Sequence, residues 1–281
     1  MIKKLFDILP VDFETKIIGD STRNISGIEI DSRGVKDGFV YAALRGTKVD
    51  GHAFINNAIN NGAVCIICEE VAEIQEGITY IVTKDVRSFL GGLLDNYFGN
   101  ASKQLKLVGV TGTNGKTTVS TLLFQLFSAF GYKCGLISTV ENRIAGDIIP
   151  ATHTTPDAVR LHMLIAEMRD AACEFIFMEV SSHAIDQQRI AGLKFDGALF
   201  TNITHDHLDY HLTMKNYIAA KKLFFDHLPS SAFALVNADD KNGLVMVQNT
   251  KARKLTYGLR TMCDYKVKII ESSVQGLHLR I

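Results

Sequence analysis

The stretch from Leu107 to Thr118 constrains the fold more than any other part of the sequence. An apolar run passes through a small, glycine-bearing loop and then opens into a helical pattern that continues to Phe130. This order is typical of a strand, a phosphate-binding loop and a helix, whose backbone N–H groups and positive end face an anion. The segment therefore predicts an α/β sheet with a phosphate site at one strand end.

Within this loop, each residue type has a physical use. Gly112 and Gly115 allow a tight turn, Lys116 can reach the β- and γ-phosphates of a nucleotide, and the hydroxyl of Thr117 can ligate Mg²⁺. The usual loop has a further glycine five residues before the second one, where this chain has Val110. The core is therefore the shorter pattern Gly-x-x-Gly-Lys-Thr.

Composition narrows the class of protein. The chain has 281 residues, 47% of them apolar, which is enough for about two domains with real cores. Lys+Arg and Asp+Glu both number 30, so we expect no nucleic-acid surface, and no apolar run is long enough to span a membrane. Five scattered cysteines indicate a reducing, cytoplasmic setting. Cys65 and Cys68 lie three apart in a predicted strand, which would turn them to opposite faces.

The chain divides into two predicted domains, residues 1–103 and 104–281, joined by a small, polar linker at 99–103. The first domain reads as a small α/β unit, with strands at 27–30, 39–44, 63–68 and 79–82 and helices at 52–61 and 86–98. Asp31-Ser32-Arg33 follows the first of these strands. The residue types leave open whether it is plain turn chemistry or binds a phosphate or a uracil edge.

The second domain alternates strands and helices. Strands are predicted at 133–138, 175–180, 197–201, 232–236 and 253–257, and helices at 117–130, 158–172, 214–227 and 241–248. Such alternation implies a mostly parallel sheet covered on both faces, with ligands at the carboxyl ends of its strands.

Three clusters of polar side chains lie near these strand ends or on the helix that follows them. Glu179 ends a buried strand, where an acid beside a phosphate loop is placed to hold Mg²⁺. His205 to His211 holds three histidines and two aspartates in seven residues, which indicates a metal site, although the spacing does not favour zinc. Lys221 and Lys222 follow on a helix, about 100° apart, so only one of them can face a neighbouring site; the pattern does not say which.

Together with the phosphate loop, three motifs make the chain resemble the Mur ligase family, and within it the ligases that add the third amino acid to UDP-N-acetylmuramoyl-dipeptide. They are Thr154-Thr155-Pro156-Asp157, Met178 to Ala184 with Gln187 and Arg189, and Asp206 to His211. In the first domain, 31–33, 38–42 and 50–52 resemble the family's uridine-nucleotide domain. The resemblance covers essentially the whole chain. One departure is His153, where relatives often carry Asn.

The resemblance implies an ATP-dependent carboxylate–amine ligase of peptidoglycan synthesis. ATP would phosphorylate the γ-carboxylate of the D-glutamyl residue, and the amine of the third amino acid would attack the acyl phosphate. The catalytic residues would be Lys116, Glu179, His207 and Lys221. One Mg²⁺ would be held by Thr117 and Glu179, and a second by His207 and Lys221, the latter carbamylated by CO₂. ATP would lie on the phosphate loop, Gly112, Thr113, Asn114, Gly115, Lys116, Thr117 and Thr118.

For the sugar-nucleotide substrate, the resemblance implies contacts from Ile30, Ser32, Thr154, Thr155, Ser181, Gln187 and Arg189. It also implies a cytoplasmic monomer and a third, C-terminal Rossmann-like domain that binds the incoming amino acid. The chain ends at Ile281 in what reads as a strand of the central domain. We therefore expect a fragment that is inactive alone and does not reveal whether diaminopimelate or lysine is added. Two alternatives are a folylpolyglutamate synthase-like ligase and a non-catalytic nucleotide-binding module.

Overall fold

The computed structural model of the protein describes residues 1–46, 49–151, 153–206, 208–273 and 276–280. The chain separates into two compact units. The first is Met1–Ala101 with Pro156–Ala166 and Gln188–Leu193, and the second is Ser102–Thr155 with Glu167–Gln187 and Lys194–Ile281.

The first unit is a small α/β body, as the sequence predicts, and it is built around a five-stranded sheet. Its elements in chain order are β1 (Lys3–Lys4), α1 (Leu5–Ile8), β2 (Thr15–Ile18), β3 (Asn24–Ile25), β4 (Gly27–Glu29), β5 (Phe39–Ala42), α2 (Ile55–Asn60), β6 (Ala63–Cys68), β7 (Thr79–Thr83) and α3 (Val86–Tyr97). The strand order is β2-β7-β6-β5-β4, with β2 antiparallel to β7 and the other pairs parallel. The sequence patterns missed β2, and the predicted helix at 52–61 begins as a 3-10 turn over Gly51–Phe54.

Helix α3 covers one face of this sheet. The carboxylate of Asp85 caps it by accepting the Ser88 backbone N–H at 3.0 Å. Phe89 and Leu93, four residues apart, are buried in the same apolar cluster as Cys65. Cys68 belongs to the cluster on the other side. The two cysteines therefore do lie on opposite faces of β6.

The second unit is built on a larger sheet. Its elements are β8 (Lys106–Thr111), α4 (Lys116–Ala129), β9 (Cys134–Ile137), β10 (Glu141–Ile144), β11 (Asp147–Pro150), α5 (Ala158–Asp170), whose first turns cluster with the first unit, β12 (Phe175–Glu179), α6 (Ser182–Asp186), β13 (Gly197–Phe200), α7 (Leu208–His211), α8 (Met214–Asp226), β14 (Phe233–Asn237), α9 (Gly243–Met246), β15 (Arg253–Gly258), β16 (Tyr265–Lys266), β17 (Lys268–Ser273) and β18 (Gly276–Arg280).

Nine of these strands form one sheet in the order β11-β10-β9-β12-β8-β13-β14-β15-β16. All neighbours pair in parallel except those involving β10, which confirms the predicted mostly parallel sheet. The antiparallel β10–β11 hairpin was not predicted, and α9 is shorter than the predicted helix at 241–248. A strand does form near the end of the chain, but β18 pairs with β17 as a separate hairpin.

Strand β8 lies in the middle of this sheet, between β12 and β13. In register, Glu179 of β12 pairs with Val110, and Phe200 of β13 pairs with Thr111. The carboxyl ends of the three strands therefore meet beside the loop that follows β8. In the part of the chain that the structure describes, no helix is both long and apolar enough to cross a membrane.

Candidate active site

The loop between β8 and α4 has the conformation that its glycines allow. Gly112 has φ +147° and Gly115, which caps the N-terminus of α4, has φ +86°. L-residues rarely adopt such angles. At Gly112 there is also no room, because a Cβ would collide with Oγ1 of Thr201 and lie 3.0 Å from the backbone O of Asn202.

The residues that follow β13 hold this loop in place. The Thr113 N–H donates to the backbone O of Asn202 at 2.8 Å, and the Asn114 N–H donates to its side-chain oxygen at 3.1 Å. In return, the Thr201 hydroxyl donates to the carbonyl of Asn114 at 2.7 Å. Sequence analysis did not identify Thr201 and Asn202 as site residues. Their position at the end of the strand beside β8 is the signal that could have found them.

Two lysines converge on one carbonyl of the loop. Lys116 Nζ donates to the Gly112 carbonyl at 3.0 Å and to the Thr113 carbonyl at 2.8 Å, while Lys221 Nζ donates to the Gly112 carbonyl at 2.9 Å. Burial lowers the pKa of both ammonium groups, and that of Lys221 falls to about 7, because repulsion from Lys116 adds to burial. The carboxylate of Asp206 opposes the drop in both pKa values.

The structure distinguishes the two neighbouring lysines of α8. Lys221 is 1% exposed and faces the loop. Lys222 instead forms an ion pair with Asp226, one helical turn further on, at 2.6 Å. The sequence pattern left this choice open, and the helix rotation settles which side chain reaches the phosphate loop.

Glu179 is placed to share a cation with Thr117. It is 1% exposed, and its Oε1 accepts the Thr117 hydroxyl at 2.8 Å and the Thr139 N–H at 2.7 Å. The hydrogen bonds from Thr117 and Thr139 all end on Oε1 of this carboxylate. A carboxylate and a hydroxyl next to a phosphate loop are hard oxygen donors of the kind Mg²⁺ prefers, and the residues present fit that ion.

Hydroxyl groups connect Glu179 to the segment that precedes α5. The Thr139 and Thr154 hydroxyls lie 3.1 Å apart, and that of Thr139 also lies 3.1 Å from Oε1 of Glu179. The Thr155 hydroxyl donates to the backbone O of Glu179 at 2.9 Å and lies 3.4 Å from the Ser181 hydroxyl. The structure thus brings Thr154, Thr155 and Ser181 to the end of β12. Thr139, which sequence analysis missed, links Thr154 to Glu179.

The histidine-rich segment is only partly described. His207 lies outside the described residues, so its role as a metal ligand stays a prediction. Elsewhere in the described ranges, no group of three or more His, Cys, Asp or Glu side chains is placed to hold a metal ion. His211 is buried and packs against His183, with ring centroids 5.7 Å apart. Gln187 donates to the hydroxyl of Tyr210 at 3.3 Å.

The remaining predicted substrate residues belong to the first unit. Ser32 is buried at the start of a 3-10 turn, and Ile30 packs against the core of that unit. The Arg33 guanidinium pairs with the Asp31 carboxylate at 2.6 Å, so turn chemistry does occupy these two side chains. Arg189 lies in the turn after α6.

This fold and site define a class: an α/β protein with a P-loop, two lysines at the loop and a buried carboxylate beside the loop's threonine. Profiles of two domains match the chain, "Mur ligase family, catalytic domain" over residues 24–97 and "Mur ligase middle domain" over residues 110–281. The chain belongs to the Mur ligase family.

Close relatives share one name. A UDP-N-acetylmuramoyl-L-alanyl-D-glutamate–2,6-diaminopimelate ligase from Parabacteroides distasonis is 56% identical over 266 residues, covering 94% of this chain and 55% of the relative. The enzyme of that name from Bacteroides fragilis is 52% identical, covering 98% and 57%. A solved structure with the same name superposes with a TM-score of 0.83 at 29% identity, covering 99% and 59%. The chain spans about half the length of the curated relatives it matches.

Proposed function

We propose that this chain carries the ATP site and the UDP-sugar site of a ligase that adds diaminopimelate to UDP-N-acetylmuramoyl-L-alanyl-D-glutamate in peptidoglycan synthesis. The observation that carries the proposal is the convergence of Lys116 and Lys221 on the loop carbonyl of Gly112, beside the Thr117–Glu179 pair. The names of the relatives support the choice of diaminopimelate over lysine.

The chemistry requires activation of a poor electrophile. The γ-carboxylate of the D-glutamyl residue accepts the γ-phosphoryl group of ATP, and ADP leaves. The amine of diaminopimelate then attacks the acyl phosphate, and the tetrahedral adduct loses a proton from nitrogen and expels phosphate to give the amide. The chain contributes positioning and charge. Lys116 leaves the carbonyls of Gly112 and Thr113 to contact the phosphates, and the loop N–H groups and the positive end of α4 surround them.

Two Mg²⁺ ions are part of the proposal. Thr117 and Glu179 would hold one, and His207 with a carbamylated Lys221 would hold the other. When bound, the ions neutralise charge on the crowded phosphates. The carbamate is supported by the surroundings of Lys221: an uncapped ammonium beside Lys116 would add a third like charge next to a metal cation, whereas a carbamate supplies an anion with hard oxygens.

The first unit would bind the uridine part through Ile30 and Ser32, with Arg189 contributing to the muramoyl-peptide. In the second unit, Thr154, Thr155, Ser181 and Gln187 would contact the muramoyl-peptide and its phosphates. The Thr155 hydroxyl donates to the backbone O of Glu179, Ser181 contacts Thr155, and Thr154 reaches Glu179 through Thr139. These contacts support a substrate held close to the transferred phosphoryl group. The cysteines at positions 65, 68, 134, 173 and 263 are free thiols, in keeping with a cytoplasmic protein, and we propose a monomer.

Lys116→Ala is expected to weaken Mg·ADP binding by about 10- to 100-fold, since a hydrogen bond to a charged group is worth about 1.5–3 kcal/mol. Isothermal titration calorimetry on the 281-residue chain measures the effect. Lys106→Ala is the matched control, because Lys106 lies at the opposite end of β8 and contacts Asp196. Equal affinity of wild type and Lys116→Ala would refute the nucleotide site.

The carbamate can be tested on the chain itself. In buffer with ¹³C-bicarbonate and Mg²⁺, ¹³C NMR is expected to show one carbamate signal that Lys221→Ala abolishes and Lys222→Ala retains, since Lys222 is turned toward Asp226. In a ligase-active form of the protein, Lys221→Ala should lower turnover by orders of magnitude, and Lys222→Ala should have a much smaller effect. A signal that survives in Lys221→Ala, or greater damage from Lys222→Ala, would show that the assignment is wrong.

A further inference from the structure

Tyr217 contacts both the phosphate loop, through Thr113, and Lys221 of α8. It lies on α8, four residues before Lys221, and its side chain is completely buried. Few buried tyrosines keep a hydroxyl without a partner, because an unpaired buried hydroxyl costs free energy. The hydroxyl of Tyr217 has its partner, Thr113, in the phosphate loop, so this contact ties α8 to that loop.

The hydroxyl of Tyr217 lies 3.1 Å from the hydroxyl of Thr113. Thr113 Oγ1 also accepts the backbone N–H of Thr204 at 3.0 Å, and Thr113 itself donates its backbone N–H to Asn202. One threonine side chain thus joins α8 to the segment after β13. Loss of the Tyr217 hydroxyl would leave the Thr113 hydroxyl held from one side.

The ring of Tyr217 forms a wall beside Lys221. Lys221 Nζ lies 4.7 Å from the ring centroid, a cation–π distance, and the two residues share a helix face. The ring also packs against that of His211, with centroids 5.3 Å apart. Thr213 caps the start of α8 by accepting the Asn216 N–H at 3.1 Å, so the first turn that presents Tyr217 is itself fixed.

We infer that Tyr217 is a positioning residue, whose hydroxyl holds the phosphate loop in its binding conformation and whose ring holds Lys221 against that loop. The inference rests on the nucleotide site proposed above. Through Thr113, the tyrosine sets the direction of loop N–H groups without touching phosphate. Tyr217→Phe removes the hydroxyl and keeps the ring, which separates the two roles.

The test is the affinity of the whole chain for Mg·ADP. Tyr217→Phe is expected to weaken it about 2- to 10-fold, the range of one net hydrogen bond. Tyr41→Phe is the matched control: Tyr41 is equally buried, but its hydroxyl donates to the Gly51 carbonyl in the first unit, at 2.9 Å. Both variants should unfold at lower urea concentration than wild type, and only Tyr217→Phe should bind nucleotide less tightly.

A double-mutant cycle identifies the route. If the hydroxyl pair transmits the effect, Thr113→Val and Tyr217→Phe should each weaken binding, and the double variant should be little worse than Thr113→Val alone. Unchanged affinity in Tyr217→Phe, or fully additive effects, would overturn the role of Tyr217 while the nucleotide site stands. Failure of the wild-type chain to bind Mg·ADP would overturn the site and the inference together.

Discussion

Lys221→Met is expected to raise the free energy of unfolding by a few kcal/mol at pH 7. Lys221 is 1% exposed, and confining an ammonium in such a place is unfavourable. Methionine has a similar length and no charge, and replacing buried charges by well-packed apolar side chains is often stabilising. The Gly112 carbonyl keeps Lys116 Nζ as a donor, so the substitution leaves that oxygen paired.

The stability advantage of Lys221→Met over wild type should decrease as the pH rises. Because burial lowers the pKa of Lys221 to about 7 in the folded chain, the unfolded chain binds more protons between pH 7 and the ordinary lysine pKa of 10.5. Wild-type stability from this group therefore rises with pH in that window, and the advantage of Lys221→Met is full below pH 7 and vanishes near pH 10.5.

Urea unfolding at pH 6, 8 and 9.5, without Mg²⁺ or added bicarbonate so that Lys221 carries no carbamate, measures this trend. Lys222→Met is the control, since its ammonium is paired with Asp226 and should give no comparable gain. A Lys221→Met protein that is less stable than wild type at pH 6, or a difference that does not change with pH, would contradict the argument. A buried lysine that costs stability is typical of a functional group rather than of a structural one.

Sequence alone was sufficient where the determinants are local. Gly112, Gly115, Lys116 and Thr117 lie within six residues, and their types specify a strand–loop–helix turn whatever surrounds it. The parallel sheet followed from the alternation of apolar runs and helical periods. Glu179 was identified for the same reason, because a buried strand that ends in an acid is visible in a short window.

The remaining features of the site depend on contacts distant in the chain. Thr201 and Tyr217 are about 90 and 100 residues from their partners in the loop. No local sequence pattern around a threonine or a tyrosine predicts a contact at such a separation. The residue pattern of α8 does not distinguish Lys221 from Lys222. The family resemblance selects Lys221, and the rotation of α8 turns that side chain toward the loop. The β10–β11 hairpin escaped prediction because Glu141–Ile144 is mostly polar, with few β-branched residues.

Gly112→Ala is expected to destabilise the second unit by about 2–5 kcal/mol and to weaken Mg·ADP binding at least about 100-fold, from the combined costs of strain and overpacking. The new Cβ would require an unfavourable φ of +147° and would collide with Oγ1 of Thr201. That hydroxyl cannot turn away freely, because it donates to the carbonyl of Asn114 at 2.7 Å and Thr201 is 7% exposed. The loop must therefore shift away from β13.

Gly131→Ala separates backbone strain from the collision. Gly131 also has a positive φ, +93°, but a Cβ there would meet nothing within 4 Å. The Gly131→Ala variant should lose only about 1–2 kcal/mol of unfolding free energy, the cost of a left-handed L-residue, and should bind Mg·ADP as wild type does. Urea unfolding of the two variants measures the loss of stability, and calorimetry measures their affinity for Mg·ADP. Equal destabilisation of the two, or normal nucleotide affinity in Gly112→Ala, would mean that the loop is not held against Thr201 as the structure shows.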